Sequence, residues 1–385
     1  MLNGQKKDLS LYIHIPFCVR KCDYCDFLSA PADETTKSKY VKALIAEIKS
    51  YKHLTAEYLV KTVFIGGGTP SSLEGQFIAD ILDTLREVFN HGGESEAIPE
   101  ITIEINPGTI TRDKLLLYKK AGINRLSFGL QSADNRELKL LGRIHTFETF
   151  LENYEAAREL GFQNINIDLM SSLPGQTLDN WLKTLERAVA LEPEHISAYS
   201  LIIEEGTPFF DRFCEDDLDE ELDRLIYART KEFLERAGYY RYEISNYAKK
   251  DFSCKHNTAY WTGKEYLGLG LGAASLLNHT RFHNEEELST YLKLSKNHSG
   301  LRRDSEELTK IKRMEEFMFL GLRMSEGVSE DEFAGRFGQN IREVYGEVLK
   351  HSQNEGLIRE NKGKICLTDK GIDLSNMVMA RFLFD

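Results

Sequence analysis

Three cysteines near the beginning of the chain have a spacing that suits iron–sulfur chemistry. Cys18, Cys22 and Cys25 follow the pattern C-x3-C-x2-C within residues 15–27. Three thiolates on one short loop can bind three irons of a cubane [4Fe–4S] cluster, and the fourth iron then has no protein ligand. Because an open iron can bind and activate a small molecule, the spacing predicts a cluster that takes part in chemistry as well as electron transfer.

Other uses of these cysteines remain as alternatives. A structural zinc site needs a fourth ligand, usually from a second closely spaced pair. The remaining cysteines, Cys214, Cys254 and Cys366, occur singly. Residues 1–10 are polar and contain no apolar signal segment, so we expect a cytoplasmic protein, in which structural disulfides are rare. The cluster is the favoured interpretation, with zinc binding and chance packing as the alternatives.

The composition of the chain disfavours several classes of protein. Its 385 residues, 41% of them hydrophobic, suffice for one large domain with one or two smaller ones. No apolar stretch reaches the roughly 18 residues that a membrane-spanning helix needs. The net charge is −12 and no block of Lys or Arg stands out, so no nucleic-acid partner is expected. The acidic segment 214–221 is interpreted as the solvated start of a helix.

Short apolar segments alternate with amphipathic ones in the first half of the chain. Strand then helix repeats about six times, which predicts an α/β fold with a parallel sheet, either open or closed into a partial (β/α)6 barrel. The predicted strands are 9–16, 62–66, 101–106, 125–129, 164–170 and 195–202, and the clearest helices are 37–52, 77–90, 147–160 and 178–191. Unusual polar residues fall at the C-terminal ends of these strands, where parallel α/β folds place their sites.

The pattern changes after about residue 210, and three domains are predicted: 1–210, 211–300 and 301–385. The middle segment begins with a helix at 218–237 and contains His-Asn-Thr-Ala-Tyr-Trp at 256–261 and a glycine-rich run at 266–275. The last segment has predicted helices at 307–322, 329–337 and 341–355 and a hairpin of 357–360 with 364–367, which suggests a winged-helix shape. From residue 305 onward it has 12 Lys/Arg and 15 Asp/Glu, so DNA binding is disfavoured.

A glycine loop and two acids indicate a ligand site at the strand ends. Residues 66–70 read Gly-Gly-Gly-Thr-Pro, and three glycines let backbone groups touch a ligand directly, although a tight turn would also use them. Glu104 and Asp168 lie in or at the end of apolar strands. Buried acids are costly unless they pair with a cation or with ligand donors such as an amine or ribose hydroxyls. A structural ion pair is the alternative for each acid.

These segments together resemble a known family. The cysteine triplet, residues 66–70, the Glu-Ile-Asn-Pro segment at 104–107 and the Leu-Pro-Gly-Gln-Thr loop at 173–177 resemble the radical S-adenosylmethionine (SAM) superfamily. More narrowly, they resemble the branch that contains oxygen-independent coproporphyrinogen III oxidase and the haem chaperones, and the resemblance covers nearly the whole chain. It implies a partial barrel with a winged-helix-like C-terminal domain, and a site for a [4Fe–4S] cluster and SAM.

The resemblance also implies roles for individual residues. Cys18, Cys22 and Cys25 would ligate the cluster, and the amine and carboxylate of SAM would chelate the open iron. The residues implied to contact SAM are Tyr12, Tyr24, Gly67, Gly68, Thr69, Glu104, Gln131, Arg143 and Asp168. His256, in the H-N-x-x-Y-W motif, would ligate haem iron, with Tyr260 and Trp261 against the macrocycle. Taken alone, a histidine beside two aromatic residues is more often a packing or helix-capping residue.

Two features separate the members of the branch: the H-N-x-x-Y-W motif, which looks like a signature of the haem chaperones, and the residue at position 27. The oxidases carry a fourth cysteine two residues after the third, and that position is Phe27 here. Its loss counts against oxidative decarboxylation of coproporphyrinogen III, which is the alternative activity, so the sequence leaves open whether the protein is an enzyme. A radical SAM enzyme that modifies RNA is a third interpretation, which the acidic charge disfavours. The favoured expectation is a haem chaperone that transfers haem to acceptor haemoproteins.

The resemblance further implies contacts with other proteins. Cluster binding is expected to promote dimerisation or haem transfer. The last helix carries the apolar residues Met377, Met379, Phe382, Leu383 and Phe384. These residues either pack onto their own domain, which is favoured, or dock at the membrane on a membrane-bound acceptor.

Overall fold

The chain folds into one large sheet with flanking helices and a small C-terminal unit. The computed structural model describes residues 6–89, 98–214 and 219–384. The first five residues, the last residue of the predicted helix 77–90 and residues 215–218 of the acidic segment lie outside the described residues. No helix in the described ranges is long and apolar enough to cross a membrane.

Six strands and the helices that follow them form the first half of the fold. Each strand pairs with the next in parallel, in the order of the sequence, which confirms the predicted α/β fold. The strands are β1 (Lys7–Ile15), β2 (Tyr58–Gly67), β3 (Glu100–Ile105), β4 (Arg125–Gln131), β5 (Ile165–Ser171) and β6 (His195–Ser200). The helices are α1 (Glu34–Ser50), α2 (Gly75–Phe89), α3 (Arg112–Lys120), α4 (Asn135–Leu140), α5 (Phe147–Glu159) and α6 (Leu178–Val189), with 3-10 turns at Lys52–Ala56 and Pro70–Ser72.

The local sequence explains how these elements begin and what they bury. Thr146, for example, accepts a hydrogen bond from the backbone N–H of Thr149 and so caps the start of α5. Side chains alternate between the two faces of each strand. In β5, Ile165 and Ile167 join the core that packs against the helices. The polar residues between and after them, Asn166 and Asp168, line the interior of the barrel, so the alternation positions the site.

Six more strands extend the sheet at both edges. β7 (Tyr240–Glu243) and β8 (Asn246–Ala248) add in antiparallel fashion beyond β6, and β9 (Tyr266–Leu269) adds in parallel to β1. β10 (Ala274–Leu277), β11 (Thr280–Asn284) and β12 (Arg302–Glu307) continue beyond β9. The helices of this region are α7 (Pro208–Arg212), α8 (Glu220–Arg236), α9 (Lys255–Trp261), α10 (Leu288–Leu294) and α11 (His298–Leu301). Side chains from β1 to β6 all line one interior space, so the sheet curves around it. The edge strands of the described sheet are β12 and β7, which are not paired with each other, so the fold is the predicted partial barrel.

A second hydrophobic core lies in the C-terminal part of the chain. Its helices are α12 (Lys310–Gly321), α13 (Glu330–Phe337), α14 (Ile341–Asn354), α15 (Asp369–Asp373) and α16 (Ser375–Ala380). β13 (Val328–Ser329) pairs with β15 (Lys364–Leu367), which forms a hairpin with β14 (Ile358–Asn361), as expected of a winged-helix-like unit. The helix predicted from residue 307 begins at Lys310 because the preceding residues belong to β12 of the large sheet. The three predicted domain boundaries stay predictions.

Candidate functional site

The cysteine loop follows β1 and is fixed to two other segments of the chain. The backbone N–H of Cys18 donates to the carbonyl of Ala30 (3.2 Å), and that of Asp23 donates to the carbonyl of Leu141 (3.2 Å). Cys18 is buried, whereas Cys22 is partly exposed, as is Cys25. All three cysteines line the same cavity, so the structure brings the predicted cluster ligands together.

Polar groups around the sulfur atoms suit thiolates bound to iron. Arg143 Nη1 donates to Sγ of Cys22 (3.3 Å), and Thr69 Oγ1 donates to Sγ of Cys18 (3.4 Å). Burial raises the pKa of the Cys25 thiol to about 11, so it remains protonated until a metal displaces the proton. Among the described residues, no three His, Cys, Asp or Glu side chains converge on a single metal ion. A cubane does not need that convergence, because each thiolate binds a different iron.

The glycine loop brings the cysteine loop close to β2. Gly67 has a φ of +108°, and a Cβ there would lie 2.5 Å from the ring of His14. A Cβ at Gly68 would lie 2.8 Å from the carbonyl oxygen of Phe17, which also accepts the N–H of Thr69 (2.7 Å). The glycines are therefore required by contacts within the chain itself, in addition to lining the cavity.

A cavity of about 510 Å³, here called the outer cavity, lies between the cysteine loop and the ends of the strands. Eight of the nine residues predicted to contact SAM line it: Tyr24, Gly67, Gly68, Thr69, Glu104, Gln131, Arg143 and Asp168. The ninth, Tyr12, lines a different cavity, and its hydroxyl lies 3.0 Å from Nδ1 of His14. The structure thus brings together all but one of the predicted SAM residues beside the cysteines.

Glu104 and Asp168 form an acidic wall in the outer cavity. Oε2 of Glu104 accepts the N–H of Gly67 (3.1 Å). Asp168 accepts from Nδ2 of Asn166 (2.7 Å) and from Oγ of Ser127 (3.1 Å). Burial, reinforced by the charge of Asp168, raises the pKa of Glu104 to about 8. Burial also raises the pKa of Asp168, although its hydrogen-bond donors oppose that shift. Among the described residues, Glu104 accepts its hydrogen bond from a backbone N–H, and Asp168 accepts from an amide and a hydroxyl. Neither acid forms an ion pair with a described cation.

Arg143 and Gln131 are held by polar partners at the strand ends. Nη2 of Arg143 donates to Oδ1 of Asn106 (2.9 Å) and to the carbonyl of Gly129 (2.6 Å). Gln131 has a φ of +72°, at the irregularity where β4 shifts its register against β5. Its Oε1 accepts the hydroxyl of Tyr199 (2.8 Å). These contacts fix both side chains at the outer cavity, which Tyr199 and Asn106 also line.

A second cavity of about 390 Å³, here called the inner cavity, adjoins the outer one. The two share the side chains of Glu104, Ser127 and Asp168. His256 and Tyr260 of α9 line the inner cavity, together with residues from β1 to β6. The acidic wall therefore separates the cluster side of the barrel from the helix that carries the H-N-x-x-Y-W motif.

His256 is buried, and both of its ring nitrogens are in hydrogen bonds. Nδ1 lies 2.8 Å from Oγ1 of Thr62, and Nε2 lies 3.0 Å from the hydroxyl of Tyr260. Burial, followed by the charge of Arg125, lowers the pKa of His256 to about 3, so the imidazole is neutral at physiological pH. A neutral imidazole is the form that binds iron. In this structure, however, Nε2 becomes available only when the Tyr260 hydroxyl moves away.

Trp261 has different surroundings from those of Tyr260. The guanidinium of Arg323 lies 4.3 Å from the centre of the Trp261 ring, so the C-terminal part of the chain covers this face of α9. Trp261 is not among the residues that line the inner cavity. Its predicted contact with a haem macrocycle stays a prediction, and it would require a rearrangement of this region.

Four polar residues inside the barrel were not predicted from the sequence: Arg125, Ser127, Asn166 and Ser197 all line the inner cavity. In β4, β5 and β6 they alternate with apolar residues in the patterns Arg-Leu-Ser, Asn-Ile-Asp and His-Ile-Ser. Polar side chains at every second position of a buried parallel strand are unusual. This alternation is the signal that identifies interior-facing positions from sequence.

Known proteins resemble this chain over nearly its whole length. Residues 12–188 match the radical SAM superfamily, and residues 308–374 match the HemN C-terminal domain. The heme chaperone HemW of Bacillus subtilis (strain 168) is 38% identical over 97% of this chain and 99% of its own. That of Lactococcus lactis subsp. lactis (strain IL1403) is 35% identical over 99% and 98%. The structure of coproporphyrinogen III oxidase (HemN) from Escherichia coli, a radical SAM enzyme, has a TM-score of 0.84 and 26% identity, covering 98% of this chain and 90% of that one.

A partial barrel with three clustered cysteines at its strand ends is the architecture of radical SAM proteins. Within that superfamily, the chain belongs to the family of the relatives named heme chaperone HemW. Membership of the superfamily implies a [4Fe–4S] cluster and SAM as cofactors. The residues fit both groups, since the three cysteines and the polar SAM residues line one cavity and Nε of Arg143 is buried there without a partner. When bound, the cluster supplies an iron with an open position and one-electron chemistry.

Proposed function

We propose that this protein is a haem chaperone that binds haem beside its SAM site and transfers it to acceptor haemoproteins. The observation that carries the proposal is the inner cavity, which His256, Asn257 and Tyr260 line together and which shares Glu104 and Asp168 with the outer cavity. Three residues of the H-N-x-x-Y-W motif thereby face a cavity in the barrel. The full-length relatives named heme chaperone HemW support the same function.

The surroundings of His256 support a role as a ligand of haem iron. In the tautomer with a proton on Nδ1, that N–H donates to Oγ1 of Thr62 and leaves the Nε2 lone pair for another partner. The hydroxyl of Tyr260 then donates to Nε2. Haem binding in this proposal replaces the Tyr260 hydroxyl with iron, and the displaced phenol ring is free to pack against the porphyrin.

A haem titration tests this proposal. Cluster-reconstituted wild type, His256→Ala and Tyr260→Phe are titrated anaerobically with haem, and the Soret band is followed. We expect saturable binding by the wild type, its loss in His256→Ala, and equal or tighter binding by Tyr260→Phe, because removing the hydroxyl frees Nε2. His351→Ala, on the exposed surface of α14, is the matched control.

Two results of the titration would contradict different parts of the proposal. If the wild type and His256→Ala bind haem alike, His256 is not the iron ligand. If the wild type shows no saturable binding, the chaperone function itself is wrong.

An oxygen-independent coproporphyrinogen III oxidase is the second candidate function, which the likeness to the Escherichia coli oxidase structure favours. Phe27 counts against it, because this side chain is 58% exposed at the outer cavity and offers no thiol where the oxidases carry their fourth cysteine. We expect no anaerobic conversion of coproporphyrinogen III by reconstituted protein supplied with SAM and a reductant. Sustained turnover would make the enzyme the better interpretation.

We also propose that the protein is cytoplasmic and reaches its acceptors at the membrane surface. Met379 and Phe382 are buried in the C-terminal core, whereas Met377, Leu383 and Phe384 are exposed. The exposed three support a peripheral contact with a membrane-bound acceptor. Co-sedimentation of the protein with vesicles that contain or lack such an acceptor tests this contact.

We further propose that the protein forms a homodimer. Light scattering of the protein with and without its cluster tests it, and a monomeric mass in both states would contradict it.

A further inference from the structure

Arg125 is a buried cation without a close partner in the inner cavity. It is the first residue of β4, is 2% exposed and lines the cavity. Its Nε has no hydrogen-bond partner, and no carboxylate among the described residues lies within ion-pair distance of the guanidinium. A guanidinium has five N–H donors in a fixed plane, and burying it is costly unless those donors are satisfied.

The acids that feel the charge of Arg125 are engaged with other donors. Glu100 caps α9: its Oε1 accepts the N–H of His256 (3.2 Å) and its Oε2 accepts the N–H of Lys255 (3.3 Å). Asp168 accepts from an amide and a hydroxyl on β5 and β4. These acids interact electrostatically with the charge of Arg125 but accept no hydrogen bond from its guanidinium. The guanidinium therefore remains available to a ligand in the cavity.

We propose that Arg125 is the centre of a binding site for a carboxylate group in the inner cavity. A planar guanidinium pairs with a carboxylate through two parallel hydrogen bonds, and Asn257 and Tyr260 line the same cavity with further polar groups. A volume of about 390 Å³ accommodates a carboxylate-bearing side arm or a small organic acid. Ala274, which also lines the cavity, is exposed, so the cavity reaches the surface at this point.

Two molecules could supply this carboxylate. One is haem, whose propionate would extend to Arg125 while its iron lies near His256; this source rests on the proposed function. The other is a free small carboxylic acid, which is independent of haem. Both sources present the same group to the same guanidinium, so the experiment has one arm for each.

The first arm compares haem with haem dimethyl ester, in which both propionates are blocked. Wild type, Arg125→Met and Arg125→Lys are titrated in the cluster-reconstituted state, with Arg112→Met on the exposed surface of α3 as the control. We expect the wild type to bind haem at least about tenfold more tightly than the ester, as charge-assisted hydrogen bonds allow. Arg125→Met should lose this preference without a change in its affinity for the ester, and Arg125→Lys should keep part of it.

The second arm measures the thermal unfolding midpoint in sodium propionate against sodium chloride at equal ionic strength. A rise in propionate for the wild type but not for Arg125→Met, without a preference for haem over its ester, assigns the site to a free acid. Absence of both effects overturns the proposal and makes Arg125 a structural counter-charge. If the wild type binds neither haem nor its ester, the proposed function fails, and the propionate arm alone decides on the site. If Arg125→Met does not fold, the ester comparison on the wild type and Arg125→Lys decides.

Discussion

Removing the side-chain amide of Asn166 is expected to weaken SAM binding about tenfold, although Asn166 does not line the outer cavity. Its Nδ2 donates to Oδ1 of Asp168 (2.7 Å) and to Oγ of Ser127 (2.7 Å), and its Oδ1 lies 2.6 Å from Nδ1 of His195. A hydrogen bond to a charged group contributes about 1.5–3 kcal/mol, and about 1.4 kcal/mol corresponds to a factor of ten in affinity. In Asn166→Ala, Asp168 loses one donor and its pKa rises further, so less of the acid is ionised to hold SAM.

The pH dependence gives this prediction a second readout. Burial raises the pKa of folded Asp168 above its ordinary value, so the ionised form, and any SAM affinity that depends on it, is lost as the pH falls through that raised pKa. In Asn166→Ala the loss should occur at a higher pH than in the wild type. Calorimetric titration of reconstituted protein with SAM at a series of pH values measures both effects. Asn354→Ala, at the exposed end of α14, is the control.

One result would refute this reasoning about Asn166. If Asp168→Ala weakens SAM binding while Asn166→Ala matches the wild type in both affinity and pH dependence, the amide does not support the carboxylate. A circular dichroism spectrum like that of the wild type ensures that a lower affinity of Asn166→Ala does not come from unfolding.

Three further predictions concern stability and the cluster. Burial raises the pKa of folded Glu47 to about 7, above its unfolded value. The free energy of unfolding should therefore fall by on the order of 3 kcal/mol as the pH rises from the unfolded pKa through the folded one. Denaturant titrations at each pH measure this loss, which Glu47→Gln should lack. Cys22→Ala should remain folded without the brown absorption of the cluster, and normal iron and sulfide contents would refute the ligand assignment. Gly68→Ala should lower the iron content after reconstitution because its Cβ meets the backbone of Phe17, whereas Gly346→Ala, with open space around it, should not.

The cysteine loop and the acidic wall could be predicted because their signals are local. Cys18, Cys22 and Cys25 are close in sequence, and Glu104 and Asp168 are acids within apolar strands, Glu104 one residue before the end of β3 and Asp168 in the middle of β5. Because side chains alternate between the two faces of a strand, an acid between apolar neighbours is expected to face the interior of the barrel. Eight of the nine residues that the resemblance assigned to SAM line the outer cavity.

Tyr12 shows where this reasoning does not suffice. It lies close to the cysteines in sequence, but three residues before the end of β1. Since a strand rises about 3.3 Å per residue, Tyr12 is roughly 10 Å below the strand end, and it lines the inner cavity. Asp168 lies equally far from the end of β5 and lines both cavities, so neither distance in sequence nor depth along a strand decides alone which cavity a side chain lines.

The additional strands could not be predicted from local patterns. β9 pairs with β1, so Tyr266 lies opposite Ser10 although about two thirds of the chain separates them. Nothing in the short glycine-rich run around β9 specifies that partner, because the pairing depends on the exposed edge that β1 leaves after the first six strands have formed. The inner cavity needs this pairing, since Tyr266 lines it.

The acidic wall gives the two cavities a shared electrostatic property. Glu104 lines both cavities, and its pKa of about 8 makes it mostly neutral at neutral pH. SAM bound in the outer cavity would favour the ionised form of Glu104 through its sulfonium and ammonium charges, whereas a carboxylate bound beside Arg125 in the inner cavity would favour the protonated form. Through the proton on Glu104, the two ligands would therefore oppose each other's binding, and by linkage this contribution is equal for both.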